Sequence, residues 1–247
     1  MKYHIASKIS NNDREMINYF HEIAVGKTVS ELASELNYSL KWSKDLHSRV
    51  ARLALHYRPQ GLGEEGSLRA VEINGSLIKV FYVDENLRPT ESGIRFPHIP
   101  LKDIAEEEFE SSSLLGFLEH IMLIPVLRGE GESREMKMYE SKYLQPKYWI
   151  PNQIQLEQIR NEWLEYRDGI RNGLATRLHN GRHKLPGKKQ GRWLHMRSSP
   201  AGGTELDPLG NKCTKMCFWL NDDAVQKLLE SEKKSDFRRD NTDNSTN

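Results

Sequence analysis

The residues with the clearest chemical potential lie in one basic stretch in the last third of the chain. Between residues 171 and 215 the chain has ten lysines and arginines but only two acidic residues, Glu205 and Asp207. Trp193 and His195 are interleaved with these cations. A long run of cations with aromatic side chains between them is typical of a surface that binds a polyanion such as nucleic acid. A merely solvated basic loop is the alternative interpretation.

Other kinds of chemistry are poorly supported. Residues 61–66 match the dinucleotide-binding pattern G-x-G-x-x-G, but a helix is expected before them and Glu64 and Glu65 would repel phosphate. Cys213 and Cys217 have no second cysteine pair, so a zinc site is not expected. No histidine pair has the H-E-x-x-H spacing and no serine lies in a G-x-S-x-G elbow.

The composition limits the class of protein. The chain has 247 residues, with 36 Lys and Arg against 35 Asp and Glu, and 37% of its residues are hydrophobic. No apolar run approaches the length of a membrane-spanning helix, and no secretion signal is recognisable, so we expect a cytoplasmic protein without a membrane partner. We expect one domain over residues 1–230 and a disordered polar tail over residues 231–247.

The first half of the chain predicts helices followed by strands. Residues 14–25 and 43–57 have apolar residues at helical spacing, and Thr28 to Glu31 has the pattern of a capping box. Residues 69–83 predict a β-hairpin and residues 110–120 a short helix. Residues 121–127 predict a core strand, in which Pro125 indicates an edge position or a bulge. One or two further strands are expected over residues 136–149.

The second half predicts a long helix followed by the basic strands. Asn152 should cap a helix whose buried stripe steps through Ile159, Trp163, Tyr166 and Ile170, while polar residues such as Glu162 face water. Glycine-rich loops then separate strands over residues 192–197 and 214–220. A last short helix should begin after Asn221 and end near Glu230.

Several blocks, in order, resemble the MutH mismatch-repair endonucleases and the related restriction enzymes that cut GATC sites. These blocks are Val25 to Ala33, with the letters GKTVSELA; Leu77 to Lys79 followed by Tyr82 to Asp84 and Arg88 to Ser92; Phe109 to Ser112 followed by Leu118 and Ile121 to Val126; Trp193 to Arg197; and Lys215 to Asn221. The last two blocks are similar to strands of the restriction-enzyme branch. The resemblance covers most of residues 25–229.

The resemblance implies an α/β fold of the restriction-endonuclease type, in which a mixed sheet is flanked by helices and two arms surround a DNA cleft. It also implies a catalytic site in which an Asp, and seven residues later a Glu-x-Lys, hold Mg²⁺ against the scissile phosphate. The two carboxylates are needed because Mg²⁺ prefers oxygen ligands.

The positions that match these catalytic residues have changed. The Asp position falls on Ala70, the Glu position on Leu77 and the Lys position on Lys79. Because neither a methyl nor an isobutyl group can bind Mg²⁺, we expect a catalytically degenerate domain in which Lys79 is a vestige, and no cofactor. Substitute carboxylates, Glu72 first and then Glu64 or Glu65, would be required for cleavage.

These observations favour a pseudo-nuclease that binds DNA, as the non-catalytic second copy does in two-domain restriction enzymes of restriction–modification systems. Such a domain would recognise GATC-type duplex DNA as an effector or specificity module, and a catalytic nuclease domain or subunit is a further candidate partner. The expected DNA contacts are Lys184, Lys188, Lys189, Arg192, His195, Arg197, Lys212, Lys215 and Trp219. Alternate burial along a strand favours Trp193 and Trp219 as core residues.

Two alternatives stay open. One is an active, Mg²⁺-dependent type II restriction endonuclease that cuts GATC with shifted carboxylates. The other is a partner-binding protein whose basic loop meets an acidic protein surface.

Overall fold

The computed structural model describes residues 11–56, 72–73, 76–90, 94–119, 121–176, 183–189 and 191–230. The candidate positions Glu64, Glu65 and Ala70, and the tail at 231–247, lie outside these residues. The α-helices are α1 (Asn11–Ala24), α2 (Val29–Glu35), α3 (Leu46–His56), α4 (Leu101–Glu106), α5 (Ser113–Glu119), α6 (Arg134–Tyr139), α7 (Gln153–Arg171) and α8 (Asp222–Glu230). The strands are β1 (Glu72–Ile73), β2 (Ser76–Val83), β3 (Ile94–Arg95), β4 (Ile121–Leu127), β5 (Lys142–Tyr143), β6 (Lys147–Trp149), β7 (Leu194–Ser198), β8 (Thr204–Leu206), β9 (Lys212–Thr214) and β10 (Met216–Leu220).

The described residues form two compact units, each assembled from separated parts of the chain. The N-terminal unit takes its described residues from 11–91, 121–150 and 226–230, and the C-terminal unit takes them from 94–119 and 151–225. The architecture is mixed α/β, with a mixed sheet flanked by helices, as expected for a fold of the MutH and restriction-endonuclease type. No helix in the described part of the chain is long and apolar enough to cross a membrane.

The N-terminal unit is built on a five-stranded sheet. Strand β2 pairs with β1 antiparallel, which confirms the predicted hairpin, and pairs with β4 parallel along its whole length. Strand β4 also pairs antiparallel with β5 and β6. One face of the sheet, with Ile78 on β2 and Met122 on β4, packs against apolar residues of α1, α2 and α3. This core explains why these amphipathic helices form as predicted.

Pro125 was expected at an edge or a bulge, and the edge position is wrong. Strand β4 is an interior strand, and Pro125 lies opposite Phe81 of β2. The Pro125 carbonyl accepts the Leu144 N–H at 3.0 Å, on the side of the sheet where β5 ends and before β6 begins. The N–H and C=O of one strand residue point to the same side of the strand. Proline has no N–H, and at Pro125 that side faces the gap between β5 and β6, so no interstrand hydrogen bond is lost.

The C-terminal unit is built on a three-stranded antiparallel sheet with the order β3–β10–β7. Its inner face carries buried apolar residues that include Leu194, Met196 and Phe218. Helix α7 packs on this face, and the rings of Tyr166 and Phe218 meet edge to face with centroids 5.5 Å apart. The predicted stripe of α7 is confirmed as buried, and Asn152 caps the helix with a capping box to Gln155. A separate hairpin, β8–β9, extends from the same unit.

Two further expectations were wrong in detail. Residues 136–139, expected in a strand, belong to α6, because the Ser133 hydroxyl caps the helix by accepting the Met136 N–H at 3.0 Å. Glu162, expected to face water, is half-buried. Its carboxylate accepts the N–H groups of Trp193 and Leu194. The strands expected later in the 136–149 segment are present as β5 and β6.

Candidate functional site

The outer face of the three-stranded sheet carries most of the predicted strand residues. In the register of the sheet, Trp219 of β10 lies opposite His195 of β7 on one side and Arg95 of β3 on the other. Arg197 lies opposite Cys217, two residues before Trp219. Alternate residues of a strand share a face, so these positions lie on the face opposite to the one that packs on α7. We call this surface the Trp219 face.

Two arginines flank the central tryptophan of the Trp219 face. The Arg197 guanidinium lies over the Trp219 ring, with its carbon 5.3 Å from the ring centroid. Such a cation–π contact fixes the orientation of the arginine fork while leaving its donors available. Arg95 and Arg197 are exposed. Lys215, which directly precedes β10, is partly exposed, and its carbonyl accepts the Ser199 N–H at 2.8 Å.

The structure places His195 differently from the sequence-based expectation. Its residue exposure is 0%, and its ring packs against Trp219 with a centroid distance of 6.3 Å. Burial lowers the pKa of His195 to about 4, so the ring is neutral at physiological pH. His195 therefore supports the orientation of Trp219 and is not a cation on the surface. Trp219 itself is partly exposed, while Trp193 is buried as expected.

Two of the predicted DNA contacts form ion pairs within the protein. Arg192 places one guanidinium nitrogen 2.8 Å from the Glu165 carboxylate and covers the Tyr166 ring at 5.4 Å. Its side chain is only 15% exposed. Lys188 forms an ion pair with Asp222. Lys188 is nevertheless exposed, as are Lys184, Lys189 and Lys212. The exposed residues of the predicted set are therefore Lys184, Lys188, Lys189, Arg197 and Lys212, of which Lys188 is ion-paired, with Lys215 and Trp219 partly exposed.

Arg95 is a residue of the Trp219 face that the sequence interpretation missed. Strand β3 has only two residues, so its alternation of buried and exposed residues is too short to identify a strand with certainty from the sequence. The signal that could have found it is the alternation of Ile94, Arg95 and Phe96, in which Ile94 and Phe96 are buried and Arg95 is exposed.

Glu162 fixes the beginning of the strand that carries Arg197. Its carboxylate accepts the Leu194 N–H at 2.7 Å and the Trp193 N–H at 3.0 Å. Burial raises the pKa of the Glu162 carboxyl, while these N–H groups and the charge of Arg192 oppose that shift. A half-buried carboxylate on α7 thus sets the position of β7 relative to the helix.

The catalytic position of the resemblance lies in the other unit, on β2. Leu77 is 2% exposed and lies opposite Ile121 of β4, while Lys79 lies opposite Leu123. A buried hydrocarbon side chain offers no oxygen to a hard cation, so the residues present do not fit the Mg²⁺ site that the resemblance implies. Among the described residues, no group of three or more His, Cys, Asp or Glu side chains could hold a metal ion.

The backbone register adds one fact about Glu72. In the β1–β2 hairpin, Glu72 lies opposite Leu77. Opposite positions of an antiparallel pair lie on the same face of a sheet, and Leu77 and Lys79 also share a face because they are two residues apart. Glu72 and Lys79 therefore occupy the same face.

The comparisons with known proteins agree with the resemblance. Residues 72–162 match the model of the family described as DNA mismatch repair enzyme MutH. The matched segment runs from β1 through the parallel pair β2–β4 into α7, so it contains Leu77 and Lys79. No curated protein gives a significant match to the chain. Over residues 72–162 the match confirms the resemblance to the MutH family that the ordered blocks indicate.

Proposed function

We propose that this chain binds duplex DNA through the Trp219 face and does not cleave it at the family's catalytic position. The observation that carries the proposal is that two exposed arginines, Arg95 and Arg197, flank Trp219 on the outer face of one sheet, with Arg197 over its ring. The MutH family match supports DNA as the polyanion.

Each part of the face has a distinct task in this proposal. Lys215, Lys212 and the exposed lysines Lys184 and Lys189 contact phosphates, which supplies affinity but no sequence information. Arg197, held over Trp219, presents its fork to a guanine edge, where a bidentate arginine contact discriminates between bases. GATC-type DNA is the proposed target, and the chain acts as an effector or specificity module beside a separate nuclease domain or subunit.

The absence of cleavage rests on Leu77. An apolar side chain that is buried at the position of a metal-binding carboxylate offers no oxygen ligand to Mg²⁺. The variant Leu77→Glu restores one carboxylate, but the second one, at the position of Ala70, is still missing. This single variant should therefore stay inactive as a nuclease.

Binding is tested by fluorescence anisotropy with a GATC duplex and a scrambled duplex of the same composition across a salt series. The logarithm of the binding constant should fall steeply with the logarithm of the salt concentration, by about 0.9 for each neutralised phosphate. Lys212→Gln and Lys215→Gln should each reduce that slope by roughly one, whereas Arg197→Gln should reduce the preference for GATC over the scrambled duplex. Lys102→Gln, at an exposed lysine of α4 in the same unit, is the matched control. No affinity for either duplex at low salt would instead support a protein partner with an acidic surface.

The active-nuclease alternative has one observation in its favour, which is that Glu72 and Lys79 occupy the same face of the sheet. Incubating the chain with GATC-containing plasmid and Mg²⁺ tests it. Intact plasmid is the expected result. If the plasmid is cleaved and Glu72→Ala abolishes the cleavage, the proposal that the chain does not cut DNA is overturned. Glu72 is then the substitute carboxylate.

A further inference from the structure

A cleft of about 410 Å³ opens in the N-terminal unit at the carboxyl ends of the parallel strands β2 and β4. Tyr82, the penultimate residue of β2, and Arg128, which directly follows β4, both line it. In open α/β sheets the carboxyl ends of parallel strands are a common place for ligands. The volume is within the range of small-molecule sites.

The lining of this cleft is strongly cationic. Lys44, Arg128, Arg134 and Lys137 all line it, against the single acidic residue Glu132. All four cations are exposed. Within the part of the chain that the structure describes, Lys44, Arg134 and Lys137 form no ion pair, unlike Lys188 and Arg192 of the other unit. Their charges therefore act on whatever enters the cleft.

Aromatic rings complete the lining. Trp42 is 45% exposed, which is unusual for the largest apolar side chain, and it borders the cleft. The Arg128 guanidinium lies over the Tyr82 ring at 5.0 Å, and the His47 ring packs against Tyr82 at 4.1 Å. Exposed aromatic rings beside cations are the combination with which proteins bind single nucleotides, because the ring stacks on the base and the cation binds the phosphate.

The turn that carries Arg128 is held rigidly. The Arg128 N–H donates to the Val83 carbonyl at 3.0 Å, and the Gly129 N–H donates to the Ser141 hydroxyl at 2.9 Å. That hydroxyl donates in turn to the Lys137 carbonyl at 2.6 Å. A Cβ at Gly129 would lie 2.5 Å from the backbone carbon of Glu140, so only glycine fits this packing. The backbone that carries the cations of α6 and of the turn is therefore positioned before any ligand binds.

The cleft is separate from the family's catalytic position. Tyr82 and Lys79 are three residues apart on β2, so they lie on opposite faces of the sheet. The side chains of the Trp219 face belong to the other unit.

We propose that this cleft binds a 5′-phosphorylated nucleotide, with the phosphate on Arg128, Arg134 and Lys137 and the base on Trp42. Arginine forks bind phosphate oxygens in pairs, and an exposed indole offers a stacking surface for any base. The ligand can be a free mononucleotide or the terminal nucleotide of a DNA strand, since both offer the same chemistry. The proposal does not depend on duplex binding by the other unit.

Isothermal titration of the full chain with 2′-deoxyadenosine 5′-monophosphate tests the proposal. We expect the nucleotide to bind at least tenfold more tightly than either deoxyadenosine or inorganic phosphate. Arg128→Gln should weaken binding about tenfold or more, and Trp42→Ala should weaken it about fivefold or more. Arg14→Gln, at an exposed arginine of α1 in the same unit, should leave it unchanged. The variants remove exposed side chains, and thermal unfolding by circular dichroism verifies that each is folded.

A second titration identifies the source of the ligand. Two single-stranded oligonucleotides of the same sequence, one with a 5′-phosphate and one with a 5′-hydroxyl, are compared with the mononucleotide. Preference for the phosphorylated strand over the mononucleotide supports a strand end, and the reverse order supports a free nucleotide. No binding of mononucleotide or strand at millimolar concentration, or equal weakening by Arg128→Gln and Arg14→Gln, would overturn the proposal. So would inorganic phosphate binding as tightly as the nucleotide.

Discussion

Arg197 of β7 lies over the ring of Trp219 of β10, with its guanidinium carbon 5.3 Å from the ring centroid. The two residues are diagonal neighbours in the sheet, because Arg197 is opposite Cys217 and Trp219 is opposite His195. The contact holds a fork of donors at a defined angle on the outer face, which a flexible lysine could not reproduce.

Arg197→Lys therefore separates charge from geometry. The variant keeps the positive charge, so the salt dependence of duplex binding should be unchanged. It loses the bidentate fork, so discrimination between GATC and scrambled duplex should fall by about 1–3 kcal/mol. Anisotropy titrations with both duplexes measure the two quantities. Unchanged discrimination in Arg197→Lys would show that Arg197 contacts phosphate only.

Removing the Glu162 carboxylate should destabilise the C-terminal unit. Glu162→Ala leaves the buried N–H groups of Trp193 and Leu194 without their acceptor, and each such loss costs roughly 1–3 kcal/mol. Urea unfolding should show a midpoint well below that of Glu157→Ala, which removes an exposed carboxylate from the same helix. Equal midpoints for the two variants would contradict the anchoring role of Glu162.

The same carboxylate should contribute to the pH dependence of stability. Burial raises the pKa of Glu162 in the native state above its usual 4.5, so the native state holds the proton more tightly than the unfolded chain. The contribution of Glu162 to the free energy of unfolding should therefore fall as the pH rises from about 4.5 through the raised pKa. Glu162→Gln should remove this component, and a pH series of urea unfolding curves measures it.

Two buried histidines should make the protein sensitive to acid. Burial lowers the pKa of His47 and of His195 to about 4, from the usual 6.5. As the pH falls, the unfolded chain binds these protons before the native state does. The contribution of the two histidines to the free energy of unfolding should therefore be complete above pH 6.5 and be lost as the pH falls towards 4. The loss should be on the order of 3 kcal/mol for each histidine. His195→Gln should flatten the pH dependence below 6.5, and a curve as steep as that of the unsubstituted chain would contradict the burial of this ring.

Substitution by alanine should have opposite effects on the free energy of unfolding at two glycines, Gly129 and Gly116. Gly129→Ala forces backbone atoms of α6 and its end apart, so it should destabilise the N-terminal unit by roughly 1–3 kcal/mol. Gly116 lies inside α5 with nothing within 4 Å of an added Cβ. Gly116→Ala should therefore raise the free energy of unfolding by about 1 kcal/mol. Thermal unfolding of both variants checks the contrast, and a stabilising Gly129→Ala would show that the turn is not tightly packed.

Local sequence signals predicted the elements whose cause is local. The capping box of Thr28 and Glu31 is present, with the Glu31 N–H donating to the Thr28 hydroxyl at 3.1 Å. The buried stripe of α7 follows directly from the spacing of Ile159, Trp163 and Tyr166. In each case one helix contains the whole signal.

The errors concern residues whose environment is set by distant parts of the chain. Glu162 looks like a surface residue on its own helix, and only the arrival of β7 gives its carboxylate two backbone donors. Pro125 looks like an edge residue, and only the interruption between β5 and β6 makes an interior position tolerable. The paired state of Arg192 likewise depends on Glu165, which lies 27 positions earlier in the sequence.

The candidate site was predictable in part for the same reason. Two features are visible in the sequence alone: the charge of the basic strands, and a leucine, Leu77, at the position that the resemblance assigns to a catalytic carboxylate. The position of Arg95 beside Trp219 and the exposed cations of the cleft next to Tyr82 depend on strand register and on loop packing.

The path of the chain through its two compact units has a consequence for how the protein can be divided. The polypeptide leaves the N-terminal unit after β2, builds β3, α4 and α5 in the other, and then returns to add β4 beside β2. Neither unit is therefore encoded by an uninterrupted stretch of the gene. Cutting the chain at either junction between β2 and β4 separates these parallel neighbours, so the two units must be expressed and engineered together.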